Sequence, residues 1–135
     1  IEAEVRQAAA GTNDTFACIG LIVLEKIGAG NDRVSPQEAI TLATQYASDT
    51  TRSPGLRSTA LGIACRAGKS DILPAARDAA QSSDDEGLQH AAISALGMLG
   101  STEDKAIVQG LASDANRGVR AAAQEALRRF AARKL

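Results

Sequence analysis

The feature that most constrains this chain is an apolar stripe that returns along the sequence with its closing glycine in register. Between Gly87 and Gly100, Leu88, Ala92, Ala95, Leu96 and Leu99 recur at steps of three and four, the spacing that gathers side chains on one face of an α-helix. Gly100 follows Leu88 by twelve positions, where a glycine can close a helix because it tolerates left-handed backbone. Leu56, Ala60, Leu61, Ala64 and Ala67 repeat the frame and end at Gly68; Phe16, Gly20, Leu21, Leu24 and Ile27 repeat it again and end at Gly28. A fourth copy runs through Val119, Ala123, Ala126, Leu127 and Phe130, with Ala131 where the glycine would stand. The first apolar positions lie 40, 32 and 31 residues apart, and each full period has room for two helices. That period is the mark of an α-solenoid, in which no unit buries its stripe alone and stacked neighbours make the core. We therefore expect an all-α fold, an α-α superhelix of about three and a half helical hairpins. The expected units are residues 14–53, 54–86, 87–117 and 118–135 of a single domain, 1–135.

Composition agrees with closely packed helices. Apolar residues make up 44% of the chain but aromatics only 2%, and alanine dominates the apolar share, which suits helix against helix better than a sheet of β-branched side chains. Start signals divide the units. Asn13 or Asp14 can cap the first stripe, and Ser35-Pro36-Gln37-Glu38 offers a capping serine with proline in the first turn, opening a helix to about Ser48 after a loop over 29–34. Ser70 or Asp71 is placed to cap a helix reaching Gln81, with Pro74 in its first turn, and Ser101 or Thr102 opens another through Leu111. The first ten residues read as a helix remnant stopped by Gly11.

The residue inventory argues against catalysis. His90 is the sole histidine and has no evident partner for acid–base work, so we read it as a surface or inter-repeat residue. Cys18 and Cys65 lack the C-x-x-C spacing of redox or zinc sites and read as small core residues. Asp84-Asp85-Glu86 lacks the alternating ligands and central glycine of a calcium loop and reads as a capped, solvated turn. Gly28-Ala29-Gly30 has no lysine-plus-hydroxyl sequel and is no phosphate cradle. No cofactor or metal is expected. No run of about 18 apolar residues occurs, so we expect a soluble chain outside the membrane, with a lean to the cytoplasm.

Gly118-Val-Arg-Ala-Ala-Ala-Gln-Glu-Ala-Leu127 resembles the first-helix motif of HEAT repeats, and Gly55-Leu56-Arg57 repeats its opening. More narrowly, the short units with polar, Asp-containing loops resemble the HEAT-like repeats of the phycobilisome-lyase type. Gln89 and Ala17 stand where the motif has arginine. Tetratricopeptide repeats have a comparable period but call for Trp, Tyr and Phe at packing positions, and this chain has no Trp, one Tyr and two Phe. HEAT-like hydroxylases that hold two irons use His-Glu dipeptides, whereas His90 precedes Ala91. The resemblance implies a non-catalytic protein-interaction or scaffolding module. It also implies that the second helix of each unit lines the inner curve, making Thr44, Arg77, Asp78, Lys105 and Gln109 the expected contact residues.

From Asn116 onward the chain carries Arg117, Arg120, Arg128, Arg129, Arg133 and Lys134 against Glu125, six cations less one anion, a net charge of +5. Arg117, Arg128 and Arg129 project away from the apolar face, which makes an anionic partner attractive. An acidic protein is the better candidate; the alternative is a nucleic-acid-contacting domain using this basic helix, disfavoured by the overall charge of −1 and the shortage of aromatics for stacking. The last helix has a full stripe and no second helix after it. We therefore expect either a piece of a longer array or self-association through that helix, with Val119, Leu127 and Phe130 partly uncovered.

Overall fold

The computed structural model describes residues 2–30 and 36–135. Among them are eight α-helices and no strand, as the stripes require. The helices are α1 (Glu2–Ala9), α2 (Asp14–Gly30), α3 (Gln37–Ser48), α4 (Pro54–Arg66), α5 (Leu73–Ser82), α6 (Glu86–Leu99), α7 (Thr102–Leu111) and α8 (Arg117–Ala132), with a single 3-10 turn, Ser70–Ile72, leading into α5. They form two layers. The even-numbered helices stack on one another in chain order, and the odd-numbered helices lie across them, each packed chiefly on the even helix that follows it.

The stripes form the buried seam between the layers. Leu56, Leu61, Leu88, Ile93 and Leu96 are each no more than 3% exposed, and alanines such as Ala60, Ala64, Ala92 and Ala123 let the backbones approach. Helix starts follow the sequence signals. The Asn13 carboxamide oxygen accepts from the Phe16 N–H at 3.0 Å, Ser53 Oγ from Leu56 at 3.2 Å, Asp85 Oδ1 from Leu88 at 2.8 Å and Asn116 Oδ1 from Val119 at 3.1 Å. Asp85 thus caps α6, the role expected of the acidic turn. Helix α5 departs from expectation: neither Ser70 nor Asp71 caps it, because the 3-10 turn intervenes and Ile72 occupies the cap position. Pro74 sits in its first turn, where the missing N–H costs nothing. The Ser35 cap and the loop residues 31–34 lie outside the described residues, while Ala29 and Gly30 belong to α2 and not to a loop.

The three glycines of the repeated frame do not play one role. Gly68 has φ +72°, and the N–H groups of Gly68 and Lys69 donate to Cys65 O and Ala64 O, so it closes α4 in left-handed backbone. Gly100 is extended; a Cβ there would lie 2.4 Å from Leu96 O and 2.8 Å from Asp104 Cβ. Gly28 closes nothing. It lies within α2, where a Cβ would come within 2.8 Å of Pro36 Cα.

Both ends differ from expectation. Helix α1 is no unpaired remnant: it packs along α2, at a crossing so close that a Cβ on Gly20 would lie 2.6 Å from the Ala9 nitrogen. At the other end Phe130 is fully buried and Val119 only 6% exposed, with Leu127 half-buried. The expected uncovered patch on α8 is therefore absent. α7 packs on α8, and the Arg133 guanidinium lies 4.9 Å over the Phe130 ring while donating to Gly97 O and Gly100 O at 2.8 and 2.9 Å.

Candidate interaction surfaces

The arginine of the repeated motif has a structural task. Arg57, 9% exposed, donates from Nε and Nη2 to Ala47 O, at the carbonyl end of α3. One unit on, Gln89 Nε2 donates to Ala80 O near the end of α5, and Arg120 Nη1 donates to Asp114 O and Ala115 O beyond α7. The last carbonyls of a helix lack intrahelical donors, and the following first-layer helix supplies them. Ala17 cannot do so, and the carbonyls after α1 are served from elsewhere: Tyr46 Oη donates to Ala9 O, and Arg52 Nη2 donates to Gly11 O. Arg52 also pairs with Asp14, whose second oxygen accepts from the Ser53 N–H. The Arg52 and Ser53 hydrogen bonds hold the Asp14 carboxyl below the usual carboxylate range.

The five second-layer candidates fall on three successive helices. Thr44 on α3 is half-buried and turns Oγ1 back to Ile40 O at 2.8 Å. On α5, Arg77 grips Asp104 of α7 at 2.5 and 3.1 Å. The Asp104 side chain is completely buried and also accepts from the Ser101 N–H at 2.9 Å, so one carboxylate joins α5 to the start of α7. The Arg77 hydrogen bond holds its pKa below the ordinary value against the opposing effect of burial. Lys105 is half-buried and its Nζ donates to Leu135 O at 2.8 Å. Asp78 and Gln109 are exposed, and Asp78 accepts from Ser82 Oγ within its own helix. Arg77 and Lys105 are thus largely occupied in holding the array together, and Asp78 and Gln109 face water.

The basic end is similarly occupied. Arg120 and Arg133 serve backbone carbonyls, while Arg128 and Arg129 both reach Glu125, at 3.2 and 3.7 Å. Arg117 is exposed at the first turn of α8. His90 is exposed beside Glu86 and Asn116 at the edge of a shallow depression. Cys65 is buried, which pushes its thiol pKa up, and lies 3.5 Å from Met98 Sδ; Cys18, half-buried, is 3.2 Å from Thr59 Oγ1. Among the described residues no three histidine, cysteine or acidic side chains converge as metal ligands, and no helix is long and apolar enough to cross a membrane.

A sequence model of HEAT repeats matches residues 40–128, from α3 to the last turns of α8. The chain belongs to the HEAT-repeat family. The matched residues span the stacked helices α4 to α7 and most of α3 and α8. HEAT repeats generally mediate protein–protein interaction or scaffolding. The match specifies no narrower subgroup of HEAT repeats. Neither a curated protein nor a solved structure matches the chain.

One exposed feature escaped the sequence reading. Phe16, placed there in the core stripe of α2, is 62% exposed, and Ile19 is 55% exposed. The signal was present: α2 is apolar nearly all round, a pattern that asks for neighbours on every side.

Proposed function

We propose that this HEAT domain is a non-catalytic protein-interaction or scaffolding module that engages its partner across the solvent-facing side of α3, α5 and α7. The observation that carries the reading is the placement of exposed Asp78 and Gln109, with Thr44, Arg77 and Lys105 beside them, on consecutive second-layer helices of a HEAT stack. Such a stack presents polar groups at fixed intervals on rigid elements, so a partner can be read at several points without a pocket. The partner we propose carries acidic side chains, with Lys105 as the cation on this face that has no carboxylate side chain paired to it.

The test is site-specific photocrosslinking in the native host, with the photoreactive residue at Asp78, at Gln109 or, as a control, at exposed Ala121 on α8. Protein adducts at the two second-layer sites and none at the control are expected. Adducts confined to Ala121, or retention of a mixed-sequence DNA duplex at low salt, would contradict the reading, because phosphate contacts are strongest there.

A further inference from the structure

One position of the first-layer register carries a row of cations with a single exception. Ten residues after Phe16, Leu56, Leu88 and Val119 stand Lys26 on α2, Arg66 on α4, Met98 on α6 and Arg129 on α8. Met98 is the sole methionine of the chain and is 37% exposed. Helix α6 lies between α4 and α8 in the first layer, so the thioether stands between the two guanidinium-bearing positions. Arg66, Arg129, Gly62 and Ala91 join it around a depression of about 250 Å³. The space is open over Gly62, where an added Cβ would meet only Arg66 Nη1, at 3.3 Å.

One side of the sulfur is already taken. Cys65 Sγ lies 3.5 Å from Met98 Sδ across the α4–α6 seam. Burial pushes the Cys65 thiol pKa up, against the opposing pull of Arg129 and Arg66, so the thiol keeps its proton and donates it to the thioether. The side of Met98 Sδ left to an approaching reagent is the one toward the depression. A thioether reacts with a peroxide without ionising, whereas a thiol must first become a thiolate. An oxygen placed on the open side of this sulfur would be a hydrogen-bond acceptor flanked by the donors of Arg66 and Arg129.

We propose that Met98 is a reversible oxidation site, modified by hydroperoxides from the depression side to give a single sulfoxide epimer. The sulfur gives up two electrons and bonds to the distal peroxide oxygen. The O–O bond breaks, and the proton of that oxygen passes to the departing group, which leaves as an alcohol or, from hydrogen peroxide, as water. A thiol-dependent sulfoxide reductase restores the thioether. The reaction turns the one apolar position of the cationic row into a polar acceptor, while Cys65, on the covered side, fixes which epimer forms.

The test treats the full chain with hydrogen peroxide at about pH 5, where thiols are protonated, then digests it and measures the Met98 peptide by mass spectrometry. Methionine sulfoxide reductases are specific for one epimer each, and the peptide is exposed to each of the two separately. One oxygen per chain is expected, at Met98, with one reductase removing nearly all of it and the other almost none. The same chain oxidised in urea should give both epimers in equal amounts, and Met98→Leu should take up no oxygen. Cys65→Ala, with unchanged circular dichroism, should lose the selectivity because the covered side is then open. Equal epimers from the folded wild type, selectivity that persists in C65A, oxygen on a cysteine in place of Met98, or a folded chain that resists oxidation while the unfolded chain reacts would overturn the proposal.

Discussion

Arg57 offers the sharpest test of how the layers are joined. Its guanidinium makes two hydrogen bonds to Ala47 O, at 3.3 and 3.2 Å, from a residue only 9% exposed. Replacing it by leucine keeps the apolar stem but leaves the end of α3 without this donor. Hydrogen bonds from a charged donor contribute about 1.5–3 kcal/mol; both bonds are long and share one acceptor, so Arg57→Leu should cost about 2 kcal/mol. For a chain of this size that is a fall in Tm of roughly 8 °C, at about 4 °C per kcal/mol. Arg57→Gln should recover most of the loss, because Gln89 performs the same task at the equivalent place on α6. Thermal melts of the three proteins by circular dichroism decide the matter. Equal melting of wild type and R57L would refute the capping role, and R57Q as unstable as R57L would refute the equivalence with Gln89.

Gly97→Ala should destabilise by about 1 kcal/mol or more, since the new Cβ would lie 2.8 Å from Ala126 Cα and Cβ and overpacking outweighs the gain in helix propensity. Gly110→Ala, on exposed α7 with no atom within 4 Å of the new methyl, should instead stabilise by up to about 1 kcal/mol; urea titration reads both. Asp104 has a pKa below its unfolded value, so its contribution is full above the unfolded carboxylate range and is lost as pH falls through the folded value. Asp104→Asn should therefore lower stability at pH 7 by about 1–3 kcal/mol and flatten the acid limb of a stability–pH profile; an unchanged acid limb would count against the pair. Leu96→Ala, at a fully buried position, should cost about 2–5 kcal/mol, and a wild-type melting temperature would place the core face elsewhere.

The stripes of α4 and α6 were legible in sequence because their helices are amphipathic and flanked on both sides, so period and burial coincide at Leu56, Leu61, Leu88, Ile93 and Leu96. Phe16 was misassigned for a reason of context. Its position is a core position in every other unit, and only the arrangement of neighbours exposes it. Phe130 shows the reverse: among the described residues no helix follows the last stripe, yet Arg133, three residues on, folds over the ring, a contact no periodicity encodes. The recurring glycine does not by itself mark a helix end: it is left-handed backbone at Gly68, a close approach at Gly100, and a close approach inside α2 at Gly28. Among the candidate contact residues, sequence gave the helices but not the occupancy. Arg77 and Lys105 have exposed-looking spacing, and their partners, Asp104 and Leu135 O, lie 27 and 30 residues away. Gln89 stands where the motif has arginine, and its Nε2 donates to Ala80 O as the Arg57 guanidinium does to Ala47 O, a substitution whose effect no periodicity encodes.

The central claim is that each helix is held by its stacked neighbours, and native-state hydrogen exchange tests it most directly. Helices α4 and α6 have first-layer neighbours on both flanks, whereas among the described residues α2 has one on a single flank. The slowest amides should lie in 60–64 and 92–96, with protection falling toward α1. Slowest exchange in α1 or α2 would contradict the account.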